Sequence, residues 1–257
     1  GTQVTAMQIG SLGALAFVGL IFIMALVVGA GLFGARIGGQ SNFTGWLAGG
    51  ATAICGASAA LAIYALIGRE RLNQSQFTLT LVGVSLASAV AMSFYPIIAE
   101  QLAFTDRQAG FLMGAAVHDV AQSLGGGYSF SQGAGEVATI VKLSRVALLA
   151  PAVALIGLAI GSADGSKRSL MAKLKLPWFI LAFFAVVAVN SLVSAPEWVR
   201  EYGLVASKAM LLFAVTATAM RSRLDLLLGQ GWRALLPVML ATITAFILAC
   251  GFAWGFL

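Results

Sequence analysis

Long apolar stretches separated by short polar ones run along the whole chain. A helix that crosses a membrane needs about 20 mostly apolar residues, and eight stretches approach that length. We name them segments a to h, and they cover about residues 11–35, 45–67, 77–99, 109–125, 134–161, 177–195, 203–220 and 234–256. The short connections between them predict an all-α bundle that forms a single transmembrane domain over residues 1–257.

Segments b and d differ from the other six in their glycine content. Segment b contains the glycines of the stretch Gly49–Gly56, and segment d ends in Gly125–Gly127. Glycine permits irregular backbone, and irregular backbone at membrane depth must be buried in protein or line a cavity. We therefore predict that both segments are discontinuous, that these two stretches are non-helical, and that they surround a binding site. The alternative is that the small residues only allow helices to pack closely.

The composition supports a membrane location. Apolar residues make up 60% of the 257 positions and charged residues 9%, against about 25% charged residues in soluble domains. Together with the mean hydropathy of +0.96, these values exclude soluble, disordered and nucleic-acid-binding classes. Cys55 and Cys250 lie in apolar stretches, so no disulfide framework is predicted, and no cluster of His or Cys predicts a metal site.

Basic residues orient the bundle, because Lys and Arg are enriched in cytoplasmic loops. The loop between segments e and f holds four of the 15 Lys and Arg and the loop between g and h holds three, which predicts that both loops are cytoplasmic. If all eight segments span, the inner loops hold nine basic residues and the outer loops three. If b and d are re-entrant, the counts are ten and two. The path of b and d therefore stays open.

Ionisable side chains in segment d point to function. His118 and Asp119 lie in the middle of this segment, and Gln122 follows His118 by one helical turn. An ionisable residue at membrane depth is costly and marks a functional site by default. The alternative is structural, with Asp119 paired to a nearby cation and His118 bonded to a backbone carbonyl.

Two cations follow on segment e. Lys142 and Arg145 are three residues apart and so lie on one helical face. If they point inward, the interior is positive and suits an anion, for which the fork of Arg donors is well shaped. Two alternatives remain open: both side chains snorkel to the membrane interface, or Arg145 forms a buried ion pair with Asp119 that holds segment d against segment e.

Two stretches carry a family resemblance. AGGATAICGASAALA (48–62) and MGAAVHDVAQSLGGGYSFSQGAGEVATIVKLSRVALLAP (113–151) resemble the two signature blocks of the YeiH-like family of bacterial sulfate exporters. The second block combines a His-Asp-Val-Ala-Gln run, a Gly-rich turn and a Lys-x-x-Arg-Val motif. Members of that family run longer at the amino end, so the resemblance implies that this chain lacks helices there.

The resemblance implies a multi-pass protein of the bacterial inner membrane, related to the bile-acid-symporter and cation–proton-antiporter superfamily. That superfamily is built from inverted repeats whose discontinuous helices cross at mid-membrane. We therefore expect a secondary transporter that exports a small anion such as sulfate, sulfite or an organosulfonate by alternating access. The alternatives are a proton- or sodium-coupled organic-acid carrier of the same fold, and a scaffold or channel without transporter activity.

The expected substrate site combines segments b, d and e. The predicted substrate-binding residues are Cys55, Gly56, Ser58, His118, Asp119, Gln122, Lys142 and Arg145. In this hypothesis Lys142 and Arg145 attract the anion, and Gln122 orients it with backbone N–H groups of Cys55–Ser58 and Ser129–Ser131. His118 or Asp119 exchanges a coupling proton.

No catalytic motif stands out, so we do not expect an enzyme. We expect no cofactor and no metal, apart from H⁺ or Na⁺ as a coupling ion. The expected partners are a small anionic substrate and the lipid bilayer, without nucleic acid. A homodimer is one assembly that the sequence leaves open.

Overall fold

The computed structural model describes residues 13–160 and 232–257, together with isolated helical positions between 185 and 213. The two continuous stretches are helical and contain no strand. Their nine α-helices are α1 (Gly13–Ile37), α2 (Asn42–Ala53), α3 (Ala57–Ile67), α4 (Gln74–Gln101), α5 (Asp106–Ala116), α6 (Val120–Phe130), α7 (Gln132–Ala147), α8 (Leu149–Ile160) and α9 (Leu236–Phe256). Segments f and g and nearly all of the two basic loops lie outside these stretches, so the eight-segment count and the orientation stay predictions.

Three helices in the described residues are long and apolar enough to cross a membrane. They are α1, α4, and α9 with the 3₁₀ turn Trp232–Leu235 that precedes it, and they correspond to segments a, c and h. Segment e forms α7 and α8, which together are a fourth candidate span with a bend of 42°. The large apolar side chains on the outer faces, such as Phe22 and Ile247, are more than half exposed, as lipid-facing residues are.

Segment b is a broken helix, as predicted. The break Ile54–Gly56 separates α2 from α3, and Gly56 has a φ of +66°, a conformation that costs glycine little. The prediction was wrong for Gly49 and Gly50, which are helical. Gly49 is needed for packing instead, because a Cβ atom there would lie 2.8 Å from the carbonyl oxygen of Val28 on α1.

Segment d is also broken, but not at its glycines. The break Val117–Asp119 separates α5 from α6, whereas Gly125–Gly127 lie inside α6. A Cβ atom on Gly127 would lie 2.8 Å from the Cβ of Ala138, so this glycine allows α6 to approach α7. The break itself is stabilised by Asp119, whose side chain caps the first turn of α6.

The first half of each broken segment packs against its neighbour through the same glycine pattern. The pattern Gly-aromatic-Leu-x-Gly begins at Gly45 in α2 and at Gly110 in α5. A Cβ atom added to Gly45 would lie 2.7 Å from the Cα of Leu32 on α1. A Cβ atom added to Gly110 would lie 2.6 Å from the carbonyl oxygen of Ala134 on α7. Each half-helix therefore packs backbone to backbone against a neighbouring helix, which keeps the adjoining break inside protein.

α9 closes the bundle over these half-helices. Its buried face is a row of alanines spaced by four residues, Ala241, Ala245, Ala249 and Ala253. The small side chains let α9 pack against α1, α2 and α5. α1, α4, α7 and α9 thereby surround the two breaks, whose residues are buried except for the half-buried Asp119.

Substitution of Gly49 by Ala tests this packing. The new Cβ would meet backbone atoms of Val28 at 2.8–2.9 Å, and backbone cannot move aside as a side chain can. We expect Gly49→Ala to destabilise the protein by about 1–3 kcal/mol. The measurement is the Tm of the purified protein in detergent.

Gly29→Ala is the matched control on α1. Beyond its own stretch of α1, none of the described residues has an atom within 4 Å of a Cβ at Gly29, and in a helix Ala is favoured over Gly by up to about 1 kcal/mol. The control should hold or raise the Tm. Equal effects of the two substitutions would contradict the proposed close approach of α1 and α2.

Candidate functional site

The two breaks meet inside the bundle. A Cβ atom on Gly56 would lie 3.7 Å from the carbonyl carbon and oxygen of His118. His118 is fully buried, and all residues of the break Ile54–Gly56 are buried as well. We use the term crossing for the breaks Ile54–Gly56 and Val117–Asp119 together with the helix ends that flank them.

Arg145 of α7 ties the two half-helix ends together. Its Nε donates to the carbonyl of Ala53 at 2.9 Å and its Nη2 to the carbonyl of Thr52 at 2.7 Å. Its Nη1 shares two N–H groups among the carbonyls of Gly114 and Ala115 at the end of α5, both at 2.8 Å, and the carbonyl of Val117 in the break, at 3.2 Å. The last carbonyls of a helix have no partner within the helix and carry its negative end. The guanidinium therefore satisfies and neutralises the carboxyl ends of α2 and α5 together.

Lys142 lies one turn before Arg145 and donates to carbonyl groups of the breaks themselves. Its Nζ donates to the carbonyls of Ile54 at 3.1 Å and Val117 at 2.8 Å, and to the carbonyl of His118. Lys142 is 0% exposed and Arg145 is 1% exposed. Both cations point inward, so the snorkelling alternative is wrong.

The other structural alternative, an ion pair between Asp119 and Arg145, is not formed. Every hydrogen bond recorded for Arg145 goes to a backbone carbonyl, and Asp119 instead caps α6 by accepting from the N–H of Gln122 at 3.0 Å. The donors of Lys142 and Arg145 are taken up by carbonyl oxygens. The prediction that these two residues attract an anion therefore depends on their charge, and it stays a prediction.

Ser88 of α4 is part of the crossing that sequence reasoning missed. Its Oγ accepts from the backbone N–H groups of His118 at 3.2 Å and Asp119 at 2.9 Å. These two N–H groups belong to the break, where no helical carbonyl is available for them. Ser88 is one of three serines in segment c, and nothing in the sequence connects it to a position 30 residues away.

His118 reaches across to α9. Its Nε2 lies 2.9 Å from the hydroxyl oxygen of Thr242, a second residue that sequence reasoning missed. Its Nδ1 has no hydrogen-bond partner among the described residues, and the same holds for Oε1 of Gln122, whose side chain is 1% exposed. Oγ1 of Thr52, at the end of α2, is a third buried polar atom without a partner in the described part of the chain, and the backbone carbonyl of Thr52 is close enough to the His118 ring to act on it as an acceptor.

The side of the crossing that is open lies at the first turns of α3 and α6. Ser58 is exposed and Asp119 is half-buried, whereas Cys55 is buried within electrostatic range of Lys142, Arg145 and Asp119. α6 is capped by Asp119, whereas the N-cap residue of α3 is Gly56, which has no side chain, and the thiol of Cys55 faces the backbone N–H of Ala59 in the first turn of α3. The N–H groups of Ala57 and Ser58 are the other two at this helix start.

All eight residues predicted as a substrate site lie at or beside the crossing, and their role in binding stays a prediction. The prediction that Ser129–Ser131 join them is wrong. Ser131 lies at the far end of α6, where it caps α7 and donates to Oδ1 of Asp106 at 2.7 Å. A turn with serines is as suitable for a helix cap as for a ligand site, and here it is a cap.

Two clefts reach the crossing from the outer faces of the bundle. One, of about 470 Å³, lies between α1, α2 and α8 and extends to Ala53 and Ile54. The other, of about 370 Å³, lies between α4 and α9 and extends to Thr242. Their linings are almost entirely apolar, so they suit lipid chains rather than an anion.

These features define a class, that of helical membrane proteins with two discontinuous segments that cross in the protein interior. The family model described as conserved hypothetical protein 698 matches residues 1–238. The chain belongs to this family.

Named relatives agree with the predicted resemblance. The UPF0324 membrane protein TauZ of Paracoccus pantotrophus is 35% identical over 248 residues, which are 95% of this chain and 72% of that protein. The UPF0324 inner membrane protein YeiH of Escherichia coli strain K12 is 27% identical over 93% of this chain and 68% of its own. No solved structure matches the chain. The YeiH-like resemblance is confirmed, and the wider superfamily stays a prediction.

Ser88→Ala tests the support of the breaks by α4. It removes the acceptor of two buried N–H groups, each of which costs about 1–3 kcal/mol when left unpaired. We expect a lower Tm by several degrees in the purified protein. Ser93→Ala on the same helix is the control, because the exposed Ser93 hydroxyl only donates to the carbonyl of Ala89. A Ser93→Ala variant that is as unstable as Ser88→Ala would refute this role of Ser88.

Arg145→Met tests the neutralisation of the half-helix ends. The variant keeps a long side chain but leaves five hydrogen bonds to carbonyls unmade. We expect the free energy of unfolding to fall by about 3–5 kcal/mol, as it does when one side of a buried ionic contact is removed. The stability of Arg145→Lys should lie between those of Arg145→Met and the wild type, because an ammonium group keeps the charge and offers three donors.

Arg36→Met is the control for this pair. Arg36 is exposed in the last turn of α1, so its replacement should change stability by less than about 0.5 kcal/mol. Urea unfolding monitored by tryptophan fluorescence gives the three values. An Arg145→Met variant as stable as Arg36→Met would contradict the assignment.

Proposed function

We propose that the chain is a secondary transporter of a small anion, and that the crossing is its substrate site. The observation that carries the proposal is the charge of the crossing. Lys142 and Arg145 bring two positive charges, and the carboxyl ends of α2 and α5 offset about one of them, at about half a charge for each helix end. The amino ends of α3 and α6 add about one positive charge, and Asp119 offsets about one. A surplus of about one positive charge remains.

This surplus lies where water is scarce. The two cations are buried, and charges interact more strongly in protein than in water because the effective dielectric constant is lower. A neutral or cationic substrate would leave the surplus uncompensated. A small anion would balance it, which favours anions as the substrate class.

The start of α3 supplies the direct ligands in this proposal. Helix amino ends bind anions through their first N–H groups. Ser58 adds an exposed hydroxyl there, and the N-cap residue Gly56 has no side chain to occupy the N–H groups of Ala57 and Ser58. Sulfate and organosulfonates are tetrahedral at sulfur and sulfite is pyramidal. Each of these anions presents several oxygen atoms that such a cluster of donors can bind. The resemblance to the sulfate-exporter family supports the same choice.

Transport would proceed by alternating access, with the crossing facing each side of the inner membrane in turn. Discontinuous helices around a central site are typical of secondary transporters. The proposal includes no catalytic reaction and no cofactor. A homodimer stays an expectation.

A second candidate is a proton-coupled carrier of an organic acid. The exposure of Asp119 favours it, since this carboxylate is half-buried whereas His118 is fully buried. Asp119 is therefore the better candidate for proton exchange with an open side of the crossing. In both candidate functions the ligand is an anion. Uptake of sulfur oxyanions compared with uptake of carboxylates separates the two.

Counterflow in liposomes tests the proposed function. Purified protein is reconstituted in vesicles loaded with unlabelled anion, and uptake of the labelled anion is measured. We expect uptake with sulfate, sulfite or an organosulfonate. Uptake of carboxylates alone would favour the second candidate, and no uptake of any anion would leave a scaffold as the better interpretation.

Cysteine labelling tests the location of the site independently. In a Cys55→Ala, Cys250→Ala background, Ser58→Cys should react with a charged, water-soluble thiol reagent and should be protected by the transported anion. Phe22→Cys is the control, because Phe22 is 62% exposed in α1 and should face hydrocarbon. Reaction of Phe22→Cys at the same rate, or reaction of Ser58→Cys without protection, would contradict the proposed site.

A further inference from the structure

The ammonium of Lys142 sits in a cage of carbonyl oxygens. Its three acceptors come from both breaks: Ile54 from segment b, and Val117 and His118 from segment d. A carbonyl oxygen only accepts, so the three contacts require three N–H donors. Only the protonated amine has three. The three acceptors therefore match the ammonium form of Lys142 at the point where the two segments meet.

Such a cage is also what a monovalent metal cation requires. In transporters with discontinuous helices, unwound carbonyls and the carboxyl ends of half-helices coordinate Na⁺. In channels, backbone carbonyls replace the hydration shell of K⁺. Here the same kind of oxygens are taken by a side chain that is 0% exposed.

We propose that Lys142 is a tethered cation, which permanently fills a monovalent-cation site at the crossing. The wild-type protein therefore needs no Na⁺ or K⁺ to hold segments b and d together. Removal of the side chain should leave a vacant cation site that a free cation can fill. This inference goes beyond the proposed function and holds whether or not the crossing binds an anion.

Arg145 differs from Lys142 in this respect. Its planar fork donates mostly to carbonyls in the last helical turns of α2 and α5, whereas Lys142 is a compact charge at the breaks. Only the second arrangement can be reproduced by a spherical ion or a primary ammonium ion. If Lys142 were merely a hydrogen-bonding strut, no free cation would replace it.

The experiment compares Lys142→Ala with Lys142→Met and the wild type. Each protein is purified in choline chloride, and its Tm is measured during titration with sodium, potassium or propylammonium chloride at constant ionic strength. Propylammonium is the part of the side chain that the Ala variant lacks. Met fills the aliphatic space and leaves less room for a cation to enter.

We expect the wild-type Tm to be the same in all four salts. The Tm of Lys142→Ala should be lower in choline and should rise with potassium or propylammonium to a plateau. A ligand at a hundred times its Kd should raise the Tm by about 5 °C. Lys142→Met should be destabilised without recovery.

Two results would overturn the proposal. One is a saturable rise of the wild-type Tm with Na⁺ or K⁺ relative to choline, and the other is a Lys142→Ala variant that responds to none of the cations. If Lys142→Ala does not stay folded in choline, recovery of monodisperse protein by purification in potassium or propylammonium supports the proposal, and failure in every cation contradicts it. None of these readouts depends on transport.

Discussion

The contact between two cations of α7 and the carbonyl ends of two half-helices is the interaction on which the structure depends. A broken helix leaves carbonyl groups without helical partners, and in an apolar bundle water is not present to pair them. Arg145 makes five and Lys142 makes three of the hydrogen bonds that replace those partners. A polar crossing can therefore persist in a chain with only 9% charged residues.

This contact requires close packing as much as charge. α5 approaches α7 along Gly110 and Gly114, where a side chain would collide with Val137 and Val141. α2 is held in the same way by α1. Long side chains from α7 then reach both half-helix ends, although α7 itself makes no extensive contact with α2. The glycines and the cations depend on each other, because the glycines allow the helices to approach closely and so bring the helix ends within reach of the cations.

Part of this arrangement could be predicted from sequence. Segment length and hydropathy predicted α1, α4 and α9, and ionisable residues in an apolar region located the crossing. The position of the break in segment d was not predictable, because glycine serves both irregular backbone and close packing, and Gly127 serves packing. The acceptors of Lys142 and Arg145 are backbone carbonyls, which have no sequence pattern. Ser88 and Thr242 are joined to His118 across 30 and 124 residues, a separation that local patterns do not encode.

The order of the elements along the chain has a consequence for biosynthesis. The carbonyl of Ala53 accepts from a side chain 92 residues later, so α2 and α3 leave the ribosome well before the group that completes them. At about 5–20 residues per second the interval is about 5–18 s. During that time the broken segment cannot be left in hydrocarbon with its polar end unpaired. Its integration into the bilayer must therefore wait for α7, with the insertion machinery or water sheltering the half-helix ends in the meantime.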